Sequence, residues 1–207
     1  MPITRGFTGN RRRERPDRLP PGQYDTGSSW PTLTAEATPS GSLEQWTERW
    51  RLRVDGLVES PQEWSWAGVH ALPRSSYAGD IHCVTTWSKF GMTFTGVSVD
   101  TLLEAARPQP EARFVLAHST TGYTTNLPLE DVTGGRAWVA WEVDGEPLPR
   151  GHGGPVRLIV PHLYFWKSAK WITRLELLAR DQPGFWEQNG YHDRGDPWLE
   201  QRYQGDP

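Results

Sequence analysis

Asp80-Ile81-His82-Cys83-Val84-Thr85-Thr86-Trp87-Ser88 holds the one cysteine of this 207-residue chain. A lone cysteine makes no internal disulfide and no all-cysteine metal site. Three roles remain: a nucleophile, a single thiolate ligand to a metal held mainly by other atoms, or a small buried hydrophobe, which free cysteines often are. A cysteine hydrolase would need a base, and His82 is poorly placed to serve Cys83, because neighbours in a strand point to opposite faces. A protein-held zinc needs several His, Cys or carboxylate ligands. His70, His82, His118, His152, His162 and His192 show no His-x-x-x-His spacing.

Around this segment the composition is unusual in its 12 tryptophans, beside 21 glycines and 18 prolines. Tryptophan fills cores and lines pockets, and so much Gly and Pro means many turns and few long helices. The length suits one domain, with or without arms. A net charge of -3 offers no basic surface for nucleic acid. A single cysteine fits a reducing compartment, and no apolar run approaches the roughly 18 residues of a membrane span. Arg11-Arg12-Arg13 are followed by Pro16, Asp17, Pro20 and Pro21, not by the apolar stretch of an export signal. The expectation is a soluble, cytoplasmic protein.

Working outward from Cys83, residues 1–45 read as an extended N-terminal arm covering the domain, since Arg15 to Gln23 has too many prolines for helix or central strand. The domain itself spans 46–207. Trp50, Leu52 and Val54 alternate with Arg51, Arg53 and Asp55, the period of a half-buried strand, and Asp55-Gly56 turns the chain. Glu63 to Leu72 reads as a short helix stopped by Pro73, and Tyr77 to Trp87 as strand, then loop. Val99 to Ala106 is the clearest helix, with Leu102, Leu103 and Ala106 at helical spacing. Strands are expected over Arg113 to His118, Tyr123 to Leu129, Trp138 to Val143, Val156 to Val160 and Trp171 to Ala179. The aromatic tail from Gln182 is expected to wrap back onto the domain. The sum is a β-rich α+β fold with long irregular loops, the usual carriers of sites.

Three further clusters have chemical content. In His152-Gly153-Gly154-Pro155-Val156-Arg157 the glycines let backbone approach a bound group, and an Arg fork suits an anionic oxygen. Phe165 to Trp171 sets Lys167, Ser168, Ala169 and Lys170 among three aromatics, a pattern for an anion beside a flat ring. Ser119 to Asn126 supplies hydroxyls, the Tyr123 phenol and an amide. Each cluster alone is equally an ordinary polar loop.

Taken together, these segments resemble the sulfite-oxidase family of molybdopterin enzymes, in its single-domain bacterial branch. The resemblance is carried, in order, by Trp50 to Val58, Asp80 to Ser88, Phe94 to Val97, Gly122 to Pro128, Asp144 to Leu148, His152 to Pro161 and Tyr164 to Trp171. It implies the sulfite-oxidase-type molybdopterin-binding fold and a molybdenum-molybdopterin cofactor, with the metal held by one dithiolene and by Cys83. Soft thiolate ligation suits such a metal. It implies further that Ser119, His152, Arg157, Ser168, Ala169 and Lys170 grip the cofactor, and that Tyr123 lines the mouth as a catalytic residue beside Cys83, with Trp87 and Lys89 shaping the opening. The reaction implied is two-electron oxygen-atom transfer on a small or S-oxide-type substrate, with electrons exchanged with a separate partner protein or small carrier. The branch includes subunits that reduce methionine sulfoxide. The family's animal and plant sulfite oxidases place arginines soon after the ligand cysteine. Here Val84-Thr85-Thr86-Trp87-Ser88-Lys89 has none, and Lys89 is not an equivalent fork, so the direction of reaction stays open. A non-catalytic molybdopterin-binding module and a cysteine hydrolase are the alternatives.

Overall fold

Alternation in Arg51–Gly56 turns Leu52 and Val54 inward, fully buried, and leaves Arg51 and Arg53 outside. The computed structural model describes residues 18–32 and 37–207, so the arm expected from residue 1 lies partly outside the described residues. In chain order the strands are β1 (Tyr24–Asp25), β2 (Arg51–Gly56), β3 (Gln62–Ser65), β4 (Ser75–His82), β5 (Trp87–Ser98) and β6 (Phe114–Ser119). They continue with β7 (Thr124–Pro128), β8 (Trp138–Val143), β9 (Glu146–Pro147), β10 (Arg157–Ile159) and β11 (Ile172–Leu178). The helices are α1 (Leu43–Arg49), α2 (Trp66–His70), α3 (Val99–Ala106) and α4 (Phe185–Gln188). None of the described helices is long and apolar enough to cross a membrane.

Two sheets enclose the core. One has the order β3-β2-β11-β6-β7, and the other runs β1-β5-β8-β10, with β4 on β5 and β9 on β8. The main core lies between them: Leu52 and Val54 of β2, Val115 and Ala117 of β6, Leu175 and Leu177 of β11 meet Val139 and Trp141 of β8, closed by Leu102 and Leu103 of α3. The opposite face of the second sheet carries a smaller cluster of Ile81, Cys83, Trp87, Met92, Phe94, Trp138 and Ile159. The cysteine therefore belongs to the outer layer, against loops.

Strand β5 is the hub, pairing with β1, β4 and β8. Its register on β8 shifts between Thr95 and Gly96. A side chain at Gly96 would place its Cβ 2.0 Å from the Val139 carbonyl oxygen, so this close crossing admits only glycine. The β8–β9 hairpin turns at Asp144 and Gly145, both left-handed, as a type I′ turn requires. Helix α3 follows the sequence reading residue for residue, capped by the Ser98 hydroxyl, which accepts from the Asp100 N–H.

Two expectations are corrected. Glu63 to Leu72 is not one helix: Gln62–Ser65 pairs with β2, and only then does Ser65 cap the short helix α2. Edge pairing to a formed sheet outweighs helical spacing here. Helix α1, with a Ser42–Gln45 capping box, falls across residues read as extended arm and domain start.

The segment after β11 is fastened by buried charge. Asp131, with a fully buried side chain, accepts from Arg194 at 3.0 and 3.2 Å and meets His162 at 3.0 Å. Burial alone would raise its pKa, but the His162 and Arg194 hydrogen bonds and the Arg194 charge bring it down to about 2. A carboxyl depressed from 3.8 stabilises the fold above its unfolded pKa, and that stability is lost as pH falls from about 4 towards 2. Asp131→Asn is expected to cost about 2 kcal/mol at pH 7 and to flatten the acid limb of stability. Urea unfolding against pH checks both, and an unchanged acid limb would remove Asp131 from this role.

Candidate functional site

The hairpin of β4 and β5 ends in a tight loop whose first residue is Cys83. The Cys83 N–H donates to the Trp87 carbonyl at 2.8 Å, and the Thr86 N–H to the Cys83 carbonyl at 3.0 Å, with Thr86 left-handed at φ 73°. This places the thiol, 4% exposed, on a cavity of about 440 Å³, a size typical of small-molecule sites. The sulfur lies 3.2 Å from the Thr85 hydroxyl. Burial pushes the thiol pKa up, opposed by the Thr85 hydrogen bonds and by the charge of Arg202. His82 turns the other way: Nδ1 lies 2.7 Å from the Ser88 hydroxyl, and burial lowers its pKa to about 4 against the pull of Asp80. It is neutral at pH 7 and committed elsewhere.

The same cavity gathers Tyr123, His152, Arg157, Ser168, Ala169 and Lys170. Arg157, 2% exposed, donates from Nη1 to the His152 carbonyl and from Nη2 to the Ser168 carbonyl, each at 2.6 Å, over the Phe165 ring at 4.0 Å. One guanidinium thus ties the two anion-type loops together. The Ser168 hydroxyl accepts from the Val160 N–H at 2.8 Å, and the Lys170 amine donates to the Gly151 carbonyl at 3.1 Å. The His152 ring stacks on Trp30 at 3.6 Å and 7°, with Thr32 Oγ1 3.3 Å from Nε2. Burial, then the charges of Arg157, Lys170 and Lys89, lower its pKa to about 4, so the imidazole is neutral. At Gly153 an added Cβ would come within 2.9 Å of the Lys170 side chain, so bare backbone is needed where the loops meet.

The remaining expectations fare differently. Ser119 is not one of the cavity walls; its hydroxyl lies 2.9 Å from Thr121 Oγ1, in the turn before Tyr123. Tyr123 does line the cavity, but its O–H donates to the Trp166 carbonyl at 2.6 Å. Trp87 is a wall, whereas the Lys89 amine turns to the Gly27 and Ser28 carbonyls at 3.3 and 3.4 Å. The sequence reading missed Trp30, Trp186 and above all Tyr191, which also line the cavity. No hydrogen bond of the Tyr191 phenol is found among the described residues, and burial, then Tyr203 and Cys83, raise its pKa, so it is a protonated donor. The only sequence signal for it was the density of aromatics in the tail.

Among the described residues no group of three or more His, Cys, Asp or Glu could hold a metal. A metal held at Cys83 would need its further ligands from the group that carries it, as the dithiolene implied by the family resemblance would provide. The donor set fits such a group: one soft thiol, glycine backbone for close approach, and a cationic wall for an anionic end.

Comparisons with known proteins identify the family. Residues 37–186 match the family described as oxidoreductase molybdopterin binding domain, and the chain belongs to that family. It is a molybdopterin-dependent oxidoreductase. It is 43% identical over 200 residues to the uncharacterized oxidoreductase YuiH of Bacillus subtilis (strain 168), covering 97% of this chain and 99% of that one. It is 29% identical over 160 residues, 67% of this chain, to the protein-methionine-sulfoxide reductase catalytic subunit MsrP of Gluconobacter oxydans (strain 621H). It spans 50% of that relative's length. The crystal structure of the sulfane dehydrogenase SoxCD from Paracoccus pantotrophus shares the fold, with TM-score 0.62 and 24% identity, over 74% of this chain and 46% of that one.

Behind the Trp166 and Trp186 walls lies a fully buried ion pair, Lys167 Nζ to Glu187 Oε1 at 2.6 Å. The same carboxylate oxygen accepts from Trp166 Nε1 at 2.8 Å and from the Thr125 hydroxyl at 3.2 Å. Removing one partner of such a pair leaves a buried uncompensated charge, so Lys167→Met should cost about 3–5 kcal/mol in urea unfolding. Lys167→Met with Glu187→Leu should recover only part of it, because the buried Trp166 N–H and Thr125 hydroxyl then lose their acceptor; a double variant no better than the single would contradict this.

Proposed function

We propose that the chain catalyses two-electron oxygen-atom transfer, reducing a small S-oxide-type substrate, with Cys83 as the protein ligand of the molybdenum. One observation carries this reading: the single thiol opens onto the same cavity as His152, Arg157, Ser168, Ala169 and Lys170. When bound, the cofactor supplies the redox chemistry, and the chain supplies orientation, access and protons.

Within that reading the residues divide the work. Arg157 and Lys170 carry the positive charge for the cofactor's phosphate, with the Ser168–Lys170 backbone and neutral His152 completing the grip. Binding a metal cation would hold Cys83 as thiolate and release its proton. Tyr191 donates a hydrogen bond to the substrate oxygen as negative charge grows there. Tyr123 keeps the Trp166 wall in place, with Ser119 behind it in the turn. Trp87, Val84 and Trp186 exclude water near the sulfur. An S-oxide is favoured over sulfite because the cysteine loop itself carries no arginine, and the cation that bears on Cys83, Arg202, is not a cavity wall and points its guanidinium at the Val84 and Pro21 carbonyls. Relatives named as methionine-sulfoxide reductase subunits point the same way. Net reduction takes two electrons and two protons and releases water, so a separate electron-transfer partner must supply the electrons. We place the reaction in the cytoplasm, on the strength of the lone cysteine.

A cysteine hydrolase is disfavoured by His82, whose ring bonds Ser88 while Cys83 meets Thr85. A non-catalytic cofactor-binding module would leave Tyr191 without a use.

Protein produced with cofactor supply should contain molybdenum and reduce an S-oxide with an artificial donor. Metal-free protein that still turns over, or metal-loaded protein inactive on S-oxides, N-oxides and sulfite alike, would overturn the assignment. Cys83→Ser should abolish turnover, and Arg157→Ala should weaken cofactor retention more than folding. Tyr191→Phe is expected to lower kcat about 10²-fold with little change in KM; an unaltered kcat would return the donor role to Tyr123.

A further inference from the structure

The loop that carries Cys83 is held from outside by both ends of the chain. From the amino-terminal side, Gln23 Nε2 donates to the Cys83 carbonyl at 3.1 Å, and the Tyr24 N–H donates to the Thr86 carbonyl at 2.9 Å. From the carboxy-terminal side, Arg202 Nη1 donates to the Val84 carbonyl at 2.5 Å. The two ends also touch each other. Arg202 Nη2 reaches the Pro21 carbonyl at 3.4 Å, and a Cβ on left-handed Gly22 would stand 3.3 Å from the same nitrogen. Arg202 is largely covered, its side chain 14% exposed, with its guanidinium 5.0 Å from the Tyr164 ring centre. Gln23 extends the set inward: its Oε1 accepts from the Ser88 hydroxyl at 3.3 Å, which in turn meets His82.

Both contributing segments, 21–24 and 200–203, lie outside the 37–186 span that matches the family. The loop's own bonds are few, and one of its residues is left-handed. A ligand-bearing loop of that kind needs support to hold its sulfur within about half an ångström, and partners beyond the ligand commonly set its orientation and electronics.

We propose that Gln23 and Arg202 are positioning residues forming a clamp on the Cys83 and Val84 carbonyls, and that Arg202 also sets the reduction potential of the metal by holding a positive charge at the Val84 carbonyl, one residue from the ligand. This rests on Cys83 being the metal ligand. The clamp aims the sulfur into the cavity, and the charge favours the more reduced, more negative state of the centre.

The test uses full-length, cofactor-loaded protein with Gln23→Ala, Arg202→Gln and Arg202→Lys, read by hydrogen exchange and by redox titration of the metal. Gln23→Ala and Arg202→Gln should each speed exchange of the Cys83 and Thr86 amides at least about tenfold, with β11 amides unchanged. Arg202→Gln should lower the midpoint potential, Arg202→Lys should stay near wild type, and Gln23→Ala should leave the potential near wild type because the charge remains. Loop exchange unchanged in both Gln23→Ala and Arg202→Gln overturns the clamp. A potential unmoved in Arg202→Gln overturns the electrostatic role. Cys83→Ser separates the two levels of the reading: if it keeps the metal and the wild-type potential, the ligand assignment has failed, whatever the exchange data show about the clamp.

Discussion

The buried guanidinium of Arg157 is the joint on which the cavity depends. A charge with almost no solvent access must be met by acceptors, because an unpaired one would be several kcal/mol too costly to bury. Arg157 meets this need with the carbonyls of His152 and Ser168, which come from two different loops. The two loops that could grip an anion are therefore fixed against each other by the cation they would use. Phe165 underlies the guanidinium, and Leu158, the next residue of β10, belongs to the main core. Core packing, loop geometry and the charge of the cavity wall are linked through this one side chain.

The opposite part of the cavity is built differently. Cys83 stands at the end of a hairpin whose second strand, β5, pairs on both sides, so the hairpin stem is rigid while its loop relies on distant segments. The aromatic walls Trp166 and Trp186 are backed by the Lys167–Glu187 pair, and the tail beyond them is fastened at Asp131. Buried ion pairs contribute less to stability than their number suggests. Their use here is positional, since Glu187 and Arg194, both beyond β11, are held to Lys167 and Asp131 of earlier segments.

Much of this was legible in the sequence where a local rule was also the rule that won. Strand β2 obeys its alternation, α3 its spacing and cap, and the 152–157 and 168–170 loops advertise themselves by glycine and cations. Legibility ended where pairing partners decided the outcome. The stretch 87–98 hides a twelve-residue strand, because Gly91 and Gly96 and a register shift break its alternation. Glu63 to Leu72 reads as one helix ending before Pro73, but β2 offers the Gln62–Ser65 stretch an edge. Helix α1 did leave a signal, the Ser42–Gln45 capping box, which the surrounding prolines obscured. Tyr191 and Arg202 could not be found from spacing at all. They reach Cys83 only through tertiary folding, over separations of more than a hundred residues, and the phenol that aligns with a local motif, Tyr123, has its proton engaged by Trp166.

The central claim is that Cys83 bonds the metal. X-ray absorption at the molybdenum edge of cofactor-loaded protein tests it most directly, by counting sulfur neighbours in the wild type and in Cys83→Ser. One sulfur fewer in the variant is the predicted result. The same sulfur count in both proteins would contradict the account.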